Sequence, residues 1–191
     1  MNPGLQHLYY RIATDHDSMS GFRDNSGMKN PWFRGAFLFA TFFGIGRWPI
    51  MPGTWASLAA LPLAYGMFQT NIFVYMGLTF LFLILGILSC DLVEQTRQSH
   101  DDGDLVIDEV VGILITLTWL PLTWQTFVFG FVLFRFFDIL KPFPISFLDK
   151  KVKGGLGVMM DDVAAGLIAN VILQIIYTQT SWLGSQMVQI S

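Results

Sequence analysis

All 25 charged side chains of this 191-residue chain can be gathered at one end of a set of apolar segments, and few folds allow that. The stretches 54–88, 110–134 and 163–191 contain no Asp, Glu, Lys or Arg. Folded back on themselves, they bring Asp91, the Asp108/Glu109 pair, the Arg135/Asp138/Lys141 group and the Asp161/Asp162 pair to a shared end. The turns at the opposite end carry no charge. Composition points the same way, because 53% hydrophobic residues, 18 phenylalanines and 13% charged residues lie outside ordinary soluble usage. The expected fold is therefore all-α, an integral membrane bundle of about four to five apolar helices with a re-entrant or interfacial segment near the N-terminus. A net charge of -3 without a basic stripe argues against nucleic acid as a partner. With Cys90 as its single cysteine the chain has no internal disulfide, and that residue reads as a small buried apolar group.

Along the chain, residues 1–30 form a polar tail, 31–180 one membrane domain and 181–191 a short C-terminal tail. The run 32–45 is too brief to span and suits an interfacial or re-entrant helix. It breaks at Gly44, Gly46, Pro49, Pro52 and Gly53, a loop in which glycine and proline permit shapes that a helix forbids. Thr54 follows as a candidate helix N-cap. Segments 55–68 and 72–88 make an apolar hairpin turned at Gln69, Thr70 and Asn71, and 91–109 reads as a polar loop. Segments 110–122 and 124–137 make a second hairpin with Trp119 and Trp124 at its tip, where an interfacial aromatic belt would sit. The last apolar helix is expected over 163–177. All 11 Lys and Arg fall on the charged side, which the retention of basic residues assigns to the cytoplasm. The competing reading is a soluble helical bundle, since apolar segments of roughly 10–14 residues also form buried core helices.

Four constellations carry chemistry. The Gly/Pro loop delivers a helix start bearing Thr54 and Ser57, and free N–H groups there attract phosphate oxygens; a plain helix cap after a turn explains the same residues. Asp101, Asp102, Asp104, Asp108 and Glu109 crowd a short loop, and paired carboxylates can hold a hard cation through oxygen. Asp108 and Glu109 abut an apolar helix and are the favoured pair, whereas the outer three read as solvated charge. Arg135, Asp138 and Lys141 recur at i, i+3 and i+6 along one helical face. Arg can grip phosphate through two parallel hydrogen bonds, Lys adds a point charge, and Asp138 offers a ligand or a base; a self-neutralising surface anchor is the alternative. Asp161 and Asp162 stand where the last helix is expected to begin, and a cap needs only one of them.

Taken in order, Pro49-x-x-Pro-Gly-Thr-Trp-x-Ser57, Val106-Ile-Asp-Glu-Val-Val-Gly112, Phe134-Arg-Phe-Phe-Asp-Ile-Leu-Lys-Pro142 and Gly157-Val-Met-Met-Asp-Asp-Val-x-Ala-Gly166 resemble the phosphatidylglycerophosphatase A family. The resemblance runs from about residue 32 to residue 177. It implies a Mg²⁺-dependent phosphomonoesterase of the bacterial inner membrane that converts phosphatidylglycerophosphate to phosphatidylglycerol and phosphate. Its motif residues fall here on Asp108, Glu109, Arg135, Asp138, Lys141, Asp161 and Asp162. Met51 stands where family members often have alanine, and the N-terminal tail is longer than usual.

On this reading Asp108, Glu109, Asp161 and Asp162 are the metal ligands, with Asp138 assisting. Asp138, Asp162, Lys141 and Arg135 are the catalytic set, while Thr54, Ser57, Arg135 and Lys141 bind substrate. Attack on phosphorus by an aspartate and attack by water both suit this residue set. The sequence carries no signal for oligomeric state. Other phosphatase designs fit poorly. Cys90 and Arg97 are too far apart for a Cys-x5-Arg thiolate loop, and His7, His16 and His100 lie outside any apolar block. Asp102-Gly-Asp-Leu-Val106 mimics an Asp-x-Asp-x-Val nucleophile but lacks the preceding apolar strand. A transporter or scaffold is the alternative class, and it should distribute ionisable groups along the depth of the spans.

Overall fold

The computed structural model describes residues 30–97, 103–143, 145, 154–180 and 182–183. Most of the polar tail, Asp101, Asp102, His100 and most of the 181–191 segment lie outside the described residues. Internal contacts divide the chain into Met1–Arg34 and Gly35–Ser191, and everything described below from residue 35 onward belongs to the second unit. Among the described residues the regular structure is entirely helical: α1 (Pro31–Ala40), α2 (Pro52–Phe68), α3 (Ile72–Arg97), α4 (Ile107–Leu117), α5 (Trp124–Leu140) and α6 (Gly155–Gln179), with a 3₁₀ turn at Ile45–Arg47.

Local chemistry sets most of the boundaries. Asn71 starts α3 by accepting from Val74 N at 2.9 Å, and Thr123 starts α5 by accepting from Thr126 N at 3.3 Å. Thr54 does not cap α2. Met51 holds the N-cap position in a left-handed conformation, Pro52 occupies the first turn, and Thr54 already lies inside the helix. The polar loop expected from 91 is helical up to Arg97, because Asp91, Glu94 and Arg97 continue α3 at helical spacing. The last helix begins at Gly155, eight residues before the expected 163, so Asp161 and Asp162 sit in its second turn. Gly154 has φ +75°, and a Cβ on Gly155 would collide with the Ile87 carbonyl of α3, so only glycine lets α6 start this close to α3.

The five helices from α2 onward alternate in direction, and α4 lies at the centre. Ile107, Val110, Val111, Ile113, Leu114 and Leu117 of α4 are all fully buried. Its neighbour α6 runs parallel to it. Asp108, Gly112 and Thr116 on α4 match Asp162, Gly166 and Asn170 on α6, each pair 54 positions apart. A Cβ on Gly166 would lie 2.6 Å from the Gly112 carbonyl, and Thr116 Oγ1 reaches both Gly112 O (2.8 Å) and Gly166 O (3.4 Å). Small residues thus let two backbones touch and fix their register. Two helices, Ile72–Arg97 and Gly155–Gln179, are long and apolar enough to cross a membrane. Much of their apolar surface faces outward, with Phe73, Phe80 and Leu88 on α3 and Leu167, Val171 and Ile175 on α6 more than half exposed.

Candidate active site

Parallel packing of α4 and α6 has a direct chemical consequence. Since both helices run the same way from the charged end, a carboxylate one turn before each contact glycine must meet its counterpart. Asp108, Glu109 and Asp162 each offer a carboxylate oxygen, and these oxygens lie within 4.8 Å of one another. Asp162 is buried and the other two are half-buried. Asp108 Oδ1 accepts from Glu109 N at 3.1 Å, while Glu109 Oε2 is buried without a hydrogen-bond partner among the described residues. Burial pushes the Asp108 carboxyl well above the usual carboxylate range, and neighbouring Glu109 pushes it further. Glu109 is also raised by burial, an effect opposed by its hydrogen bond with Asp108 and by the charge of Arg135.

The C-terminal end of α5 closes this cluster on a second side. Arg135 Nη1 lies 2.5 Å from Asp138 Oδ2 and 3.9 Å from Glu109 Oε1, so it bridges α5 to α4. Asp138 also lies close enough to Asp162 for the two carboxylates to interact electrostatically. Lys141 takes the left-handed C-cap position of α5, with φ 40°, and its ammonium lies 2.5 Å from Asp161 Oδ2. Arg135 and Asp138 pair within α5, but the triad is not closed on its own helix. It reaches out to α4 and α6.

The start of α2 forms the third side. Gly53 packs so closely that a Cβ there would strike the Glu109 carboxylate and approach Arg135 Nη1 to 3.3 Å. Thr54 Oγ1 is buried and has no hydrogen-bond partner among the described residues. Ser57 is buried too, but its hydroxyl donates to Gly53 O at 2.8 Å within its own helix. Of the expected site residues, the structure joins Asp108, Glu109, Asp162, Arg135 and Asp138 in one cluster. Asp161 turns instead toward Lys141, and Thr54 and Ser57 approach through the glycine between them and the carboxylates. Asp104 stays apart, paired with Arg97 at 3.4 Å.

The donor set suits a small hard cation. Three carboxylates from two rigid helices supply only oxygen, the ligand type that Mg²⁺ favours. Without a counterion, their mutual repulsion and the orphaned Glu109 Oε2 would be costly. These side chains fit the ion that the motifs imply.

Residues 38–177 match the family model for phosphatidylglycerophosphatase A. Phosphatidylglycerophosphatase A of Escherichia coli is 42% identical over 150 residues, covering 78% of this chain and 85% of that protein. The chain belongs to the phosphatidylglycerophosphatase A family. The protein of that name from Haemophilus influenzae is 41% identical over 138 residues, 71% of this chain and 85% of its own length. A Bacteroides thetaiotaomicron relative, provisionally named a phosphatidylinositol-3-phosphatase, is 35% identical over 156 residues, 78% of this chain and 96% of its own length. No solved structure matches.

All four motifs fall inside the family match, and so does every side chain of the cluster. One contributor carries little signal in the sequence. Gly53 reads there as loop punctuation, although its missing side chain is what admits Glu109 and Arg135.

Proposed function

We propose that this protein is a Mg²⁺-dependent phosphatase of the bacterial inner membrane that hydrolyses phosphatidylglycerophosphate to phosphatidylglycerol and phosphate at the cytoplasmic face. The observation that carries this reading is the meeting of three carboxylates with Arg135 at the charged end of an otherwise apolar bundle. Family membership supports the reaction, and the outward-facing apolar surface of α3 and α6 supports a lipid setting.

Each residue has a defined task. Asp108, Glu109 and Asp162 would hold Mg²⁺, which when bound would polarise phosphate oxygens and make water more acidic. Arg135 faces the same space and balances negative charge on the transferred phosphoryl group. Asp138 fixes the Arg135 guanidinium and stands beside Asp162, where it can accept a proton. Lys141, held by Asp161, places a second positive charge at the rim. Thr54 has a hydroxyl uncommitted among the described residues that can bond a phosphate oxygen, and Ser57 steadies the turn behind it. The acyl chains stay against the exposed apolar faces while the head group enters among the charges.

Phosphate release from phosphatidylglycerophosphate in mixed micelles, with Mg²⁺ or with EDTA, tests the reading. Release that requires Mg²⁺ is expected, with slower turnover of phosphatidylinositol 3-phosphate. No release from either lipid in the presence of Mg²⁺ would refute it.

A further inference from the structure

We infer that Asn170 and Gln174 are positioning residues for the carboxylate cluster, setting the register of α4 against α6 from the uncharged end. This rests on the metal reading of Asp108, Glu109 and Asp162.

Helix α4 is short for its surroundings. Its eleven residues rise about 16 Å, roughly half of a ~30 Å hydrocarbon thickness, while α6 beside it continues for 25 residues. A helix that stops there leaves its last carbonyls without intrahelical donors, and an apolar setting supplies none. Thr118 N and Leu120 N serve Ile115 O and Leu117 O, and side chains of α6 serve Thr116 O and the two residues that follow the helix. Asn170 Nδ2 donates to Thr116 O (2.9 Å) and Thr118 O (2.8 Å), and Gln174 Nε2 donates to Thr118 O (3.2 Å) and Trp119 O (3.0 Å).

The spacing makes this more than a cap. Asp162, Gly166, Asn170 and Gln174 recur every four residues on α6, so they form one stripe. The stripe grips α4 at its end through the amides, touches it midway through Gly166, and faces its carboxylates through Asp162. Sliding α4 along α6 would break four hydrogen bonds at one end and separate Asp108 and Glu109 from Asp162 at the other. Asn170 lies about 12 Å from Asp162 along the helix, too far to touch the ion, so its effect must pass through backbone position.

Binding of Mn²⁺, a paramagnetic stand-in for Mg²⁺, can be read by electron paramagnetic resonance on the full chain in detergent micelles. Asn170→Ala should weaken Mn²⁺ binding about tenfold, the low end of what loss of supporting contacts around a metal costs. Tyr75→Phe is the control. It deletes the 2.8 Å bond from Tyr75 Oη to Leu114 O, which also steadies the end of α4 but ties it to α3, and it should leave binding within about twofold. Wild-type affinity in helical Asn170→Ala, or equal weakening in Tyr75→Phe, would overturn the inference. If Asn170→Ala does not fold, Gln174→Ala decides: about threefold weaker binding supports the inference, and unchanged binding overturns it. Absence of Mn²⁺ binding by the wild type would overturn the metal reading, and this inference with it.

Discussion

The two ends of α4 treat polar groups in opposite ways. At its start, three carboxylates crowd together, Glu109 Oε2 lacks a hydrogen-bond partner among the described residues, and the arginine beside Glu109 already pairs with Asp138. At its end, two amides of α6 and the hydroxyl of Tyr75 satisfy the terminal carbonyls, and no like charges meet. The same neighbour, α6, lines both regions. One end is left with an excess of carboxylates that a cation would offset, and the other is closed. On the proposed function, polar groups in this apolar bundle serve binding where they are unsatisfied and register where they are satisfied.

Substitutions at either end probe this contrast, and the largest effect belongs to the start of α4. Asp108→Asn should lower Mg²⁺-dependent phosphate release by about three orders of magnitude, some 4 kcal/mol of barrier, while the protein still inserts and keeps its helix content. Arg135→Ala should cost about a hundredfold in turnover, as expected for removing one donor from a developing negative charge. Arg135→Lys should recover only part of this: a single ammonium can replace Nη1 beside Asp138 and Glu109, but it lacks the planar fork that grips phosphate through two parallel bonds.

Midway along the interface, Gly112→Ala should disturb stability and activity together. The added methyl would press on the Phe134 ring and approach Asp162 O to 3.2 Å, an overpacking cost of about 1–3 kcal/mol visible as a lowered melting temperature. Gly66→Ala is the matched substitution: nothing lies within 4 Å of its Cβ, so activity should be unchanged and stability equal or slightly higher. The smallest effect is expected at the closed end, where Tyr75→Phe should cost about 1 kcal/mol of stability with no change in turnover.

The charge segregation and the four motifs make the active end legible in the sequence alone. Residue type and spacing mark Asp108, Glu109, Arg135, Asp138 and Asp162, because an ionisable group beside a long apolar run is costly unless it binds or reacts. Boundaries are harder to read. Gly154-Gly155-Leu156-Gly157 looks like a loop by propensity, but these glycines open α6 where it must pass within contact of α3. Asp91 and Glu94 look like loop charges, yet Asp91 accepts from Gly155 N at 3.4 Å and ties α3 to the first turn of α6. Thr54 resembles a cap by type, and the left-handed Met51 that displaces it from that role has no sequence signal. Asn170 and Gln174 are invisible because their partners are main-chain carbonyls about 50 residues away, which no local pattern can reveal.

If the carboxylates of α4 and α6 form one catalytic unit, neither helix can supply the chemistry without the other. Phosphate release from phosphatidylglycerophosphate by purified wild type and Asp162→Asn, each with saturating Mg²⁺ and each with EDTA, tests this directly. Mg²⁺-dependent release by the wild type is expected, with none above background from a membrane-inserted Asp162→Asn protein. Wild-type rates from Asp162→Asn would contradict a shared site.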